Sequence, residues 1–115
     1  MSLINLSPIL ALSHDDPELR QSLLENYLSN FKTFADDLEG PVRDGRLSDV
    51  KNYIYKVKSS IRMIEGEVLE RMLEELEYKM RMDILTQAQA RHYLDRIRQL
   101  STQVVDEILE QSRNL

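Results

Sequence analysis

Punctuation is what most constrains this chain. Its 115 residues hold only three glycines and three prolines, far too few for the many turns of an all-β fold. No stretch sustains the alternation of apolar and polar residues that marks a half-buried strand. Leu, Glu, Arg, Lys, Gln and Met, all good helix formers, fill the stretches between the breaks. An all-α fold follows. The length fits one domain spanning 1–115, large enough to bury roughly two thirds of its unfolded surface without disulfides or metal.

The few breaks divide the chain into four long helices after a lead-in. Leu3 to Leu12 reads as a short helix or an extended approach. Asp16 is a good N-cap and Pro17 suits the first helical position, where a missing N–H costs nothing. The apolar stripe that follows, Leu19, Leu23, Leu24, Tyr27, Leu28, Phe31, Phe34, Ala35 and Leu38, is that of a core-facing helix. Gly40-Pro41 predicts a kink or break, with one more turn ending at Asp44-Gly45. Ser48 is the expected cap of a second long helix, whose seam Val50, Ile54, Val57, Ile61 and Ile64 advances in alternating steps of about four and three. Gly66 is the expected left-handed terminator. A third helix carries Leu69, Leu73, Leu76 and Met80, and Arg81 to Leu85 form a turn. Thr86 caps a fourth with seam Ala90, Leu94 (or Tyr93), Ile97, Leu100 (or Ser101), Val104 and Ile108. Arg113-Asn114-Leu115 is expected to fray. Amphipathic helices with short links predict an antiparallel up-down four-helix bundle with a short N-terminal lead-in helix.

Composition then removes function classes. There is no cysteine, so no thiol nucleophile and no zinc site built on thiolates. The net charge of −5 is wrong for a protein that grips a nucleic-acid backbone. No apolar run approaches the ~20 residues of a membrane span, and the N-terminus lacks the pattern of a signal peptide. The expected setting is cytoplasmic, and the chain from Met1 through its closing helix reads as a complete unit. Di-iron bundles use Glu-x-x-His, but Ala11 precedes His14 at that spacing and Gln89 precedes His92, so no metal or other cofactor is expected. Glu74, Glu75 and Glu77 read as a solvated acidic face. No nucleophile elbow or phosphate loop occurs, and no enzymatic constellation is found.

The second long helix is more informative. On a helical wheel with Tyr55 as origin, Lys58 lies about 60° to one side, Ser59 about 40° to the other and Arg62 about 20° away. These four residues share one face, apart from the apolar seam, with Lys56 at its flank. An aromatic, a small hydroxyl residue and two cations on an acidic protein suit docking of an acidic partner, although an ordinary solvated face with snorkelling Lys and Arg has the same pattern.

The segment Tyr55-Lys56-Val57-Lys58-Ser59-Ser60 resembles the signature of histidine phosphotransfer (Hpt) domains, His-x-x-Lys-Gly-Ser or a close variant on a helix. Tyr55 stands where the phosphorylated His would be. Lys58 matches the lysine, Ser59 the glycine and Ser60 the small hydroxyl residue, while Ile54, Val57 and Ile64 match apolar positions. Glu65 stands where a later glycine is expected, with Gly66 one place on. The likeness extends over about 100 of the 115 residues: Asp16 to Gly45 as the long helix and turn before the motif, Glu67 to Glu77 as the helix after it, and Thr86 onward as the closing helix.

The departure decides the implied chemistry. Relay needs an imidazole nitrogen that forms a labile phosphoramidate, whereas a phenol gives a far more stable ester. The resemblance therefore implies a non-catalytic, degenerate Hpt-like module. Its expected partner is the receiver domain of a response regulator or hybrid histidine kinase, or another histidine-kinase component, contacted through Tyr55, Lys58, Ser59 and Arg62. Two alternatives remain. One is an interaction or assembly bundle unrelated to phosphorelay, using a face such as Met72, Met80 and Met82. The other is phosphotransfer through an unusual acceptor, of which His92 is the better candidate. Oligomeric state is open, since an isologous dimer uses the same apolar composition.

Overall fold

Asp16 and Pro17 open the first long helix as the sequence predicts. In the computed structural model, which describes residues 2–113, the Asp16 carboxylate accepts the backbone N–H of Leu19 at 3.0 Å. The described residues form five helices and no strand: α1 (Ser7–Leu12), α2 (Pro17–Arg43), α3 (Leu47–Met63), α4 (Glu67–Arg81) and α5 (Gln87–Arg113). No helix among them is long and apolar enough to cross a membrane. Thr86 caps α5 in a reciprocal box: its hydroxyl accepts the Gln89 N–H at 3.1 Å, and the Gln89 side chain accepts the Thr86 N–H at 3.0 Å. Asn114 and Leu115 lie outside the described residues, and the helix runs through Arg113.

Three expectations about boundaries are corrected. Of the kink or break expected at Gly40-Pro41, no break occurs: α2 runs to Arg43 with Pro41 buried inside it, and the helix ends at Asp44-Gly45 as expected. A proline crowds the residue before it, and Gly40 has no Cβ to clash. The Asp37 carbonyl loses the bond that residue 41 would have donated, but Asp37 is exposed to water. Ser48 does not cap α3. The helix begins at Leu47 after Arg46, without a side-chain cap. Gly66 is not left-handed. Glu65 takes that conformation at φ 54°, and Gly66, at φ −82°, is the N-cap of α4.

One closure explains all three links between long helices. Arg46 N–H reaches Pro41 C=O at 2.8 Å, Gly66 reaches Ile61 at 2.9 Å and Ile84 reaches Lys79 at 3.0 Å. Each is the six-to-one bond of a Schellman motif. The residue just before each donor is left-handed: Gly45, Glu65 and Asp83. Gly66 is small for a different reason. A Cβ there would sit 3.3 Å from Ile61 Cγ2, tighter than ordinary packing.

The core runs the length of the molecule. Phe31, Leu38, Val50, Ile61, Ile64, Leu69, Leu73, Leu76, Ile97, Leu100 and Ile108 are almost wholly buried. Each of the four long helices packs on two others: α2 on α5 and α3, α4 on α3 and α5, with the α2–α5 contact the broadest. On α5 it is Tyr93 and both Leu100 and Ser101 that are buried, while Ala90 and Leu94 are half-buried. The lead-in splits into an irregular stretch and a single short helix. Ile4, Leu6 and Ile9 are buried. Leu3 N–H donates to both carboxylate oxygens of Glu107 at 2.9 and 3.0 Å, and Asn5 N–H donates to Ile64 C=O at 2.7 Å. The chain start is thereby tied to both α5 and the α3–α4 turn.

Two outcomes follow. Glu65→Gly removes the left-handed penalty of a side chain, partly offset by a more flexible unfolded state, and is expected to stabilise the fold by about 0.5–1 kcal/mol, a rise of roughly 3–5 °C in melting temperature by calorimetry. Burial pushes the Tyr27 phenol up from its ordinary value. The unfolded chain then releases that proton first, so stability is lost as pH rises from about 10 through the higher folded value. Tyr27→Phe is expected to flatten this alkaline loss in melting curves recorded against pH.

Candidate functional site

The rotation of α3 is set by its seam. Val50, Ile54, Val57 and Ile61 point into the core, which turns Tyr55 and Ser59 outward. Tyr55 is 82% exposed, the most exposed large apolar side chain among the described residues. Ser59 is also exposed. The sequence-predicted group Tyr55, Lys58, Ser59 and Arg62 therefore lies along one side of α3, but its members differ in freedom.

Lys58 and Arg62 lean toward α4. The Lys58 ammonium is 3.9 Å from Glu74 Oε1, and Arg62 Nε is 3.3 Å from Glu70 Oε1. As α3 advances one turn, its partners on α4 retreat one turn, so the two helices run in opposite directions here. Lys58 is about two-thirds covered, its side chain 32% exposed, as expected of a long stem lying on apolar surface. Ser60 turns the other way. It is buried and its hydroxyl accepts from the Asn30 amide of α2 at 3.4 Å. The motif segment thus divides into an outward pair, Tyr55 and Ser59, a pair held by α4, and a buried serine set against α2.

Glu70, Glu74 and Asn30 are neighbours that sequence reasoning missed. The signal was present for two of them: Glu70 and Glu74 repeat the four-residue spacing of Lys58 and Arg62. The solvated-face reading holds for the exposed Glu74 and Glu75 but not for Glu77, and the first two also have partners across helices. Glu74 pairs with Lys58, Glu75 accepts from the Tyr93 hydroxyl at 3.4 Å, and Glu77 is half-buried. Asn30 carries no such pattern.

The other candidates lie elsewhere. His92 is exposed on α5 with its ring edge-on to Tyr93, the centroids 6.1 Å apart. His14 stands in the exposed turn after α1, 3.1 Å from Asp15. Among the described residues no three His, Asp or Glu gather as a metal site. Met72 and Met80 are half-buried against the core, whereas Met82 is exposed near Tyr78 and Ile84 in sequence, also exposed. An open groove of about 510 Å³ between α2 and α5, lined by Glu39, Arg43, Arg91 and Asp95 among others, mixes both charge signs.

Comparison with protein-family models, curated proteins and solved structures returns no match for this chain. Solvent-exposed ion pairs are worth at most about 1 kcal/mol each, so Lys58 and Arg62 are held but not locked. A double-mutant cycle with Lys58→Met and Glu74→Gln, read by urea unfolding, is expected to give a coupling of under about 0.5 kcal/mol; a coupling of several times that would mean a rigid structural clamp.

Proposed function

We propose that this chain is a non-catalytic, Hpt-like signalling module of the cytoplasm. It binds the receiver domain of a response regulator or hybrid histidine kinase, or another histidine-kinase component, without a phosphorylatable His at the usual position. The proposed architecture is the corresponding one: α2 to α5 as an antiparallel up-down four-helix bundle with α1 as its lead-in. The closed ring of neighbouring helices, the short links and the opposed Lys58–Glu74 and Arg62–Glu70 pairs support it.

The observation that carries the functional proposal is Tyr55. It replaces the expected His on a helix that otherwise resembles the signature, and it stands almost fully in solvent beside Ser59. A large ring with little neighbouring cover is a ready anchor for a partner surface. The lost imidazole removes the relay step, while small Ser59 leaves room for close approach and Lys58 supplies a cation for the partner's acidic pocket. Such a module would compete with true phosphotransfer proteins or hold a receiver in one state.

The test is an amide NMR titration of the labelled protein with receiver domains from its source organism, with and without beryllofluoride. Shifts centred on Tyr55, Lys58, Ser59 and Arg62 are expected, and Tyr55→Ala or Lys58→Glu should weaken binding about tenfold, the size of one lost anchor. Binding unchanged by both substitutions would overturn this docking surface. The exposed Tyr78, Met82 and Ile84 favour one second reading, an assembly bundle. Light scattering over a concentration series would then show a dimer with Tyr78 protected.

A further inference from the structure

The two cations of the proposed docking face already have carboxylate partners from their own chain. Lys58 and Arg62 stand one turn apart on α3, and Glu74 and Glu70 stand one turn apart on α4 at 3.9 and 3.3 Å. Within this quartet the charges cancel. A docking partner that offers a single carboxylate to either cation merely exchanges one carboxylate for another, and the displaced glutamate loses its cation. Such an exchange gains little, because both pairs are partly solvated and each is worth little to begin with. A phosphoryl group or a cluster of carboxylates brings more negative charge than the glutamate it displaces, and so gains more.

Resting on the receiver-docking role proposed above, we infer that Glu70 and Glu74 act as built-in competitors for Lys58 and Arg62. They lower the affinity for any acidic surface and select for a partner that presents a phosphoryl group or clustered carboxylates. The two glutamates are specificity-determining through the cations they occupy. Their position suits this role. Glu74 is exposed and Lys58 sits at the outer limit of ion-pair distance, so the pair opens without disturbing the core. Arg62 is 64% exposed while Glu70 is 22% exposed, so the arginine is free to swing away as the glutamate stays.

The test uses the full chain carrying Glu70→Gln and Glu74→Gln together, which keep side-chain size and remove charge. A second double variant, Asp95→Asn with Asp106→Asn, removes the same charge from exposed positions of α5. Inorganic phosphate is titrated into each, and the initial slope of the amide shifts at Lys58, Ser59 and Arg62 is read. The glutamate variant is expected to show a slope roughly two- to fivefold steeper than the native chain, the factor set by two weak pairs, and the α5 variant little change. Equal slopes in the native chain and the glutamate variant would overturn the competition. So would an equal rise in the α5 variant, which would trace the effect to net charge. The same variants are then mixed with a receiver domain. A receiver whose binding depends on Lys58 but is no tighter to the glutamate variant overturns the competition and leaves the docking role standing. A steeper phosphate slope with no receiver bound upholds the competition and removes the docking role.

Discussion

Burial of the α3 seam is the constraint on which the rest depends. Val50, Ile54, Val57, Ile61 and Ile64 are all within a few per cent of complete burial, packed among side chains from α2 and α4. At about 1.5–3 kcal/mol for each fully buried aliphatic side chain, rotating α3 by even one residue position would cost more than most domains have to spare. With that rotation set, no freedom remains over which side chains reach solvent. Tyr55 and Ser59 face out, Lys58 and Arg62 fall toward α4, and Ser60 falls toward α2.

The helix connections serve the same end. Three Schellman closures reverse the chain within a few residues, and the one at Ile61–Gly66 joins α3 to α4, whose register core packing then holds. That register brings Glu74 level with Lys58 and Glu70 level with Arg62. Two of the links carry a left-handed side chain in place of a glycine, Glu65 in the α3–α4 turn and Asp83 in the α4–α5 turn. The α3–α4 turn also receives the N-terminal segment through the Asn5–Ile64 bond. The lead-in thus stabilises the end of the helix that carries the candidate site, although it lies at a distance from Tyr55 along that helix.

The electrostatic character of the face is less basic than its α3 residues alone imply. An acidic chain with a local basic strip would steer acidic partners from a distance. Pairing with α4 shortens that reach, because a compensated quartet has little field beyond a Debye length of roughly 8 Å. In the proposed docking role, recognition depends on contact: the Tyr55 ring, the small neighbour Ser59 and the exchange of ion-pair partners.

Much of this was legible in the sequence because helix periodicity is a local property. The buried faces of α3 and α4, that of α2 apart from Leu19, which is exposed, the caps at Asp16 and Thr86, and the outward place of Tyr55 and Ser59 all follow from residue spacing and side-chain chemistry. The errors fell where local signals compete with neighbours. Gly40-Pro41 looks like a break, but glycine relieves the very clash that proline imposes. Gly66 looks like a left-handed terminator, but Glu65 takes the left-handed place, and at Gly66 a Cβ would crowd Ile61. What only the tertiary structure decided is the company each side chain keeps across helices: Glu70 and Glu74 against Arg62 and Lys58, Asn30 against Ser60, and Glu107 against the N-terminal stretch. A sequence sets which face of a helix is apolar, but the partner of a surface charge depends on the axial register between helices, which the packing of the whole core determines.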